Sequence, residues 1–259
     1  MTAISVCLAT YNGAAFVAEQ LQSILDQLAP DDEIIVVDDG STDNTLDIVR
    51  NFGDARIHVF PNEQNVGVNE TFVRAVGRAT KPIIFLSDQD DVWTPGRKAM
   101  MLEAFSDPRV LVVAGNYRLI DRDGDPLPGS LVPDLKADES RSRLLNLFRI
   151  FGGTQNYYGC AMAFRASLRV AILPYPAGME CHDIWIGMIG VTSDSMAHIE
   201  EPLLLHRVHG RNASIIRRAL WKKLASRVVL SYQLAVAMAR VASLRRRPSA
   251  SSSLFDRTA

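Results

Sequence analysis

Two short apolar runs, each ending in aspartates, constrain the fold of this 259-residue chain more than any other feature. Ile34-Ile35-Val36-Val37 leads directly into Asp38-Asp39, and Ile83-Ile84-Phe85-Leu86 leads through Ser87 into Asp88-Gln89-Asp90-Asp91. Neither run alternates with polar residues. A strand that is apolar at every position must be covered on both faces, as in a parallel sheet between layers of helices. The segments between the runs supply those helices. Phe16, Val17, Leu21, Ile24, Leu25 and Leu28 recur at helical spacing until Pro30-Asp31-Asp32 interrupts them. Gly40-Ser41-Thr42-Asp43 predicts a turn and an N-cap for a helix through Val49, and Asn69 to Ala79 predicts another. With Ile4 to Ala9 as a first strand, stopped by Asn12-Gly13, and Arg56 to Phe60 as a third, strands and helices alternate. The expected fold is α/β, a mostly parallel sheet flanked by helices. Ligands of such sheets sit beyond the carboxyl ends of the strands, where this chain places its acids.

The acids set the chemistry. Three carboxylates among Asp88-Gln89-Asp90-Asp91 repel one another unless a positive charge sits among them. A hard divalent cation, Mg²⁺ or Mn²⁺, takes oxygen ligands and completes its shell with water and substrate phosphates. The competing reading is a solvated acidic turn that caps the next helix. Asp38-Asp39 has a similar pair of readings: one carboxylate caps the following helix, and the other accepts hydrogen bonds from a ribose or a base edge. No glycine-rich phosphate loop is present, so a bound nucleotide would need a metal to carry its phosphate charge.

The formal net charge of −1 is unevenly spread, because the stretch from Arg207 to Arg247 has many Lys and Arg and no Asp or Glu. That distribution excludes a uniformly basic nucleic-acid binder. Cys7, Cys160 and Cys181 are an odd set without paired spacing, which predicts a reduced compartment and neither a disulfide framework nor a zinc site. No basic segment followed by an apolar one opens the chain, so the cytoplasm is the expected location. Asp121 to Ser142 reads as loop-rich, and Pro248 to Ala259 as a disordered tail. Between them, Ile215 to Leu244 predicts an amphipathic helix with an apolar stripe of Leu220, Leu224, Val228, Tyr232, Ala235, Met238 and Ala242. Its uncharged run, Val228 to Ala239, falls short of the ~20 apolar residues of a spanning helix. Two readings stand: an interfacial helix drawn to anionic lipid at the inner face of the plasma membrane, or a helix packed on the domain.

Four blocks occur in order: Ala9-Thr10-Tyr11-Asn12-Gly13, Val36-Val37-Asp38-Asp39-Gly40-Ser41-Thr42-Asp43, Asn65-Val66-Gly67, and Leu86-Ser87-Asp88-Gln89-Asp90-Asp91-Val92-Trp93. Together they resemble the family 2 glycosyltransferases, and the last block is similar to the branch that includes bacterial rhamnosyltransferases. The resemblance continues through Tyr158 to Arg165, His182 to Trp185 and Leu205 to Asn212, and covers roughly residues 1–215. It implies a GT-A fold for residues 1–215, with 216–247 as a basic helical extension and 248–259 as a tail.

By this resemblance Thr10, Tyr11 and Asn12 contact the nucleotide, Asp38 and Asp39 the base or ribose, and Asn65 and Gly67 the nucleotide pocket. Asp88 and Asp90 form the metal pair with Asp91 in support, and Asp88 also meets the diphosphate. His209 meets the metal, Arg207 the diphosphate, and His206 stays structural. Asp183 stands where the catalytic base stands, with His182 in place of the usual Glu. Tyr157-Tyr158 replaces the usual Ile-Thr before Gly159-Cys160, and Trp93 and Trp185 read equally well as core anchors. The implied reaction is inverting transfer from a nucleotide-diphosphate sugar, with dTDP-L-rhamnose the expected donor, to a glycan or polyprenyl-linked acceptor of a bacterial surface polysaccharide such as O-antigen. UDP-hexose or UDP-N-acetylhexosamine donors are the alternative. A sugar nucleotidyltransferase is disfavoured because Ala9-Thr10-Tyr11-Asn12-Gly13 lacks a glycine-rich loop with a basic residue.

Overall fold

The computed structural model describes residues 2–179, 181–209 and 220–246, with side chains of the last stretch described from Ala225 onward. Its first half alternates as the apolar runs require: β1 (Ile4–Thr10), α1 (Val17–Leu25), β2 (Glu33–Asp38), α2 (Thr45–Asn51), β3 (Ile57–Pro61), α3 (Val68–Arg78) and β4 (Ile83–Asp88). The second half is less regular. It runs β5 (Val92–Trp93), α4 (Arg97–Ala104), β6 (Val112–Ile120), β7 (Pro126–Leu127), α5 (Arg143–Gly152), β8 (Met162–Arg165), α6 (Arg169–Ile172), α7 (His182–Thr192), β9 (Met196–Arg207) and α8 (Leu220–Arg246). Among the described residues, nine strands form one sheet in the order β3-β2-β1-β4-β8-β6-β9-β5, with β7 beside β6. The strands from β3 to β4 are parallel. β8 then runs antiparallel to both β4 and β6, while β6 and β9 are again parallel. The sheet is therefore parallel where the sequence marks it so, and mixed beyond.

The continuous apolar runs are explained by two cores. Cys7, Ile35, Val37, Ile84 and Leu86 face one way and pack with Phe72 and Val76 of α3 and Trp185 and Ile189 of α7. Val6, Leu8, Ile34, Val36 and Phe85 face the other way, against Val17, Leu21 and Ile24 of α1 and Met101 of α4. Each such side chain contributes about 1.5–3 kcal/mol when fully buried, so both layers hold the strands in register. That register aligns the exits: Thr10 lies opposite Asp38, and Ala9 opposite Asp88.

α8 lies against α7 and α6. The face it buries carries Ser226, Gln233, Ala237 and Val241, with Leu230, Leu234 and Leu244 partly covered. The stripe expected from the sequence is the other one: Val228, Tyr232 and Met238 are 73%, 52% and 50% exposed, and Ala235 and Ala242 are also outward. Arg240 points inward instead, donating to the carbonyls of Ala171 and Pro174 and lying over the Trp185 ring. By length and composition Ala225–Arg246, at 22 residues, is enough to cross a membrane. The uncharged run read from the sequence is shorter because it stops at Arg240, whose guanidinium here hydrogen-bonds backbone carbonyls. Residues 215–219 of the expected helix and the whole expected tail, 248–259, lie outside the described residues.

Candidate active site

Three parallel strand exits converge at one edge of the sheet, and hydrogen bonds sew their loops together. Thr10 Oγ1 donates to Asp38 Oδ2 at 2.8 Å, and Asp38 also accepts from the Ser41 N–H and hydroxyl at 2.8 and 2.6 Å. Asp39 Oδ1 accepts from Asn62 Nδ2 and the Val66 N–H, and its Oδ2 from the Gly67 N–H, all within 2.9 Å. Neither Asp38 nor Asp39 caps α2. Asn44 is the N-cap residue, and Asp43 before it takes the Thr45 N–H at 3.0 Å and the Thr45 hydroxyl. Thr10, Asp38 and Asp39 were expected to touch the nucleotide. They are 2%, 0% and 3% exposed, and these bonds tie the loops around them together. Tyr11, at 45% exposure, Asn12 and Asn65 remain at the surface between the loops. Asn12 has a left-handed φ of 47°, held by its carbonyl Oδ1, which accepts the Thr42 N–H at 2.8 Å. Gly67 has φ 90° and ψ 156°, a conformation that only glycine adopts without strain.

The acid run after β4 divides by direction. Asp91 is fully buried and turned toward β9, where His206 Nδ1 lies 2.8 Å from its Oδ1 and the Arg207 N–H donates to the same oxygen at 3.1 Å. Asp88 and Asp90 are half-buried at the open edge, with His209 Nε2 2.8 Å from Asp90 Oδ2. Burial, followed by the charges of Asp91 and Asp90, pushes the Asp88 pKa up to about 8. Burial and Asp91 also raise that of Asp90, against the pull of His209. Asp88 and Asp90, with the imidazole of His209 beside Asp90, are oxygen and nitrogen donors of the kind that Mn²⁺ or Mg²⁺ takes, so their chemistry fits the metal expected for the site. Among the described residues, Asp91, Cys160 and His206 are the group whose ligand atoms all lie within 4.8 Å of one another, but its members already hydrogen-bond among themselves.

Arg207 was expected to meet a diphosphate. Its guanidinium donates to the Asp90, Asp121 and Arg122 carbonyls and to Glu19 at 2.6 Å, and the residue is 2% exposed. It braces the acid run against α1 and the β6–β7 turn. Asp183 is the second residue of α7, half-buried, and close enough that its charge is felt at Asp88. The preceding His182 turns inward onto Phe72, with Nδ1 3.2 Å from Asn69 Oδ1. Trp93 and Trp185 are both in the core, donating to Ser87 Oγ and the Ile172 carbonyl. Three contributors had no signal in the sequence: Glu19, the side chain of Gln89, and the pairing of His206 with Asp91. The cysteines are free, as their spacing predicts, with Cys7 and Cys160 buried.

The family model described as Glycosyl transferase family 2 matches residues 5–171. Among curated proteins, the chain is 34% identical over 126 residues to TuaG of Bacillus subtilis (strain 168), a glycosyltransferase named for teichuronic acid biosynthesis, covering 48% of this chain and 50% of that protein. It is 29% identical over 118 residues to the UDP-Glc:alpha-D-GlcNAc-diphosphoundecaprenol beta-1,3-glucosyltransferase WfgD of Escherichia coli, covering 46% and 47%. To the dTDP-rhamnosyl transferase RfbG of Shigella flexneri it is 39% identical over 93 residues, covering 33% and 32%. The chain thus spans about half the length of the first two relatives. Among solved structures, Staphylococcus aureus TarS 1-349 in complex with UDP-GlcNAc superposes with a TM-score of 0.67 at 19% identity, covering 94% of this chain and 73% of that one. The mannosyltransferase PcManGT of Pyrobaculum calidifontis, in complex with GDP-Man and Mn²⁺, gives 0.60 at 19% identity, covering 95% and 76%. These likenesses show the GT-A fold.

Proposed function

The chain belongs to glycosyl transferase family 2, and we propose that it is an inverting transferase moving a sugar from a nucleoside-diphosphate donor to a glycan or polyprenyl-linked acceptor of a bacterial surface polysaccharide. The observation that carries this reading is the meeting of two under-compensated carboxylates, Asp88 and Asp90, with a carboxylate on a separate helix, Asp183, at the shared exit of β1, β2 and β4. In the proposed reaction an acceptor hydroxyl forms a bond to the anomeric carbon while the bond from that carbon to the diphosphate oxygen breaks. The hydroxyl proton passes to the Asp183 carboxylate, a general-base contribution of ~10²–10⁴-fold. Asp88, Asp90 and His209 would hold the divalent cation, which neutralises the charge that develops on the leaving diphosphate. Tyr11, Asn12, Asn65 and Gly67 line the nucleoside side, while Thr10, Asp38 and Asp39 fix the loops that carry them and Arg207 braces the acid run.

The similarity to RfbG favours dTDP-L-rhamnose as donor, and the similarity to WfgD favours a UDP-hexose and an undecaprenyl-linked acceptor. Hydrolysis and transfer measured over a panel of dTDP-, UDP- and GDP-sugars decides between them. Asp183→Asn should lower transfer by at least ~10²-fold and leave nucleotide affinity within about twofold. Parallel loss of both would remove the base assignment. A peripheral position at the cytoplasmic face of the membrane completes the proposal. It is supported by the exposed apolar stripe of α8, flanked by Arg245 and Arg246.

A further inference from the structure

Gln89 stands between the two aspartates proposed to hold the cation, yet its side chain is directed elsewhere. Its Oε1 accepts the Tyr11 N–H at 2.8 Å, and its Nε2 donates to the Tyr11 carbonyl at 2.9 Å. One amide therefore satisfies both polar groups of a residue 78 positions earlier in the chain. The β1–β4 ladder ends where Ala9 faces Asp88, and the Gln89 side chain continues the pairing where backbone pairing stops. Gly13 keeps the space open, since a Cβ there would stand 2.1 Å from Gln89 Oε1. The rest of the loop is tied to the opposite wall: the N–H groups of Asn12 and Gly13 donate to Ser41 Oγ and Thr45 Oγ1 at 2.9 and 2.8 Å.

We infer that Gln89 is a positioning residue that locks the nucleoside-contacting loop, Tyr11 to Gly13, to the cation-binding carboxylates at a fixed spacing. The inference rests on the donor site proposed above. A nucleoside diphosphate bridges the two halves of that site, its base and ribose at the loop and its diphosphate at the cation. A ligand held at both ends gains from preset spacing, whereas a ligand held at one end does not. The side chain between the metal ligands therefore sets how strongly cation and nucleotide favour each other's binding.

The test uses Gln89→Met, which keeps the length of the side chain and removes the amide. Affinities for dTDP and UDP are measured by calorimetry with and without Mn²⁺, alongside steady-state transfer. With Mn²⁺ present, affinity should fall about tenfold, the scale of one or two hydrogen bonds of ordinary net worth. Without Mn²⁺ it should stay within about twofold, and donor KM should rise more than kcat falls. Equal losses with and without Mn²⁺, or none, would overturn the inference. Gly13→Ala, which pushes the same amide aside without deleting it, should reproduce the signature and add nothing in a Gln89→Ala background. Losses that multiply would count against the lock. A wild-type chain that binds neither sugar-free nucleoside diphosphate, dTDP or UDP, would remove the donor site itself and this inference with it.

Discussion

His206 and Asp91 form a buried pair between β9 and the acid run, with side chains only 7% and 0% exposed. Burial alone would strip the imidazole of its proton, but Asp91, backed by Asp88 and Asp90, lifts its pKa from 6.5 to about 9. A folded pKa above the unfolded one means that the pair stabilises fully below pH 6.5 and fades as pH rises toward about 9. His198 behaves oppositely. Its Nδ1 faces the Lys136 carbonyl and its Nε2 the Tyr157 hydroxyl, an arrangement for neutral imidazole, and burial lowers its pKa below 6.5. Stability from His198, and from buried His182, is therefore lost as pH falls through 6.5. Melting temperature followed by calorimetry in EDTA should fall on both sides of this value. His206→Gln should flatten the alkaline side and His198→Gln should reduce the acid one. A pH-independent melting temperature from 5.5 to 9 would contradict both assignments. Removing one partner outright, as in His206→Leu, should cost about 3–5 kcal/mol, because Asp91 is then left buried and uncompensated.

Elements differed in how openly the sequence displayed them. β2 and β4 were legible because each is a bare apolar run with acids at its exit, and α1 because its apolar residues keep the helical period. α7 was not. Nine of its residues are buried, so it lacks the polar face that gives a helix its period. β6 was hidden for a related reason, being buried at all positions but Arg118. The candidate site follows the same division. The acids and Asp183 could be named from their blocks, but the contacts that orient them join residues 78 to 188 apart, and no local pattern records such a pairing. α8 was found by its period, but its period alone could not tell which face packs: Ser226 and Gln233 are buried while Val228 and Met238 are exposed. A lipid-facing role makes a definite prediction. Val228→Glu with Met238→Glu should leave stability within about 0.5 kcal/mol per site and abolish flotation with anionic vesicles. Unchanged flotation would remove the lipid reading. Gly67→Ala, at φ 90°, should instead destabilise the α3 start by about 1–3 kcal/mol, seen as a lower denaturant midpoint.

For the whole molecule, the acid run is a liability without its ligand. Ionised Asp88 is disfavoured in the folded state by burial and by two neighbouring charges, so Asp88→Asn should raise the melting temperature of the metal-free protein at pH 8. The same variant should lose the added stabilisation that Mn²⁺ with dTDP or UDP gives the wild type, about 2.7 kcal/mol at a hundred times Kd. A variant that is no more stable alone, or stabilised as before by Mn²⁺ and nucleotide, would show that Asp88 is not a cation ligand.

The pairing of Ala9 with Asp88 and of Thr10 with Asp38 has an evolutionary consequence. One residue inserted within β1 would advance its exit by ~3.3 Å and turn Val6 and Leu8 toward the opposite helices, spoiling hydrophobic core and donor pocket together. Insertions among residues 123–133 meet no such penalty, since only short β7 is built there. Chain length can therefore vary in that far stretch, while the rows that align the acids stay fixed.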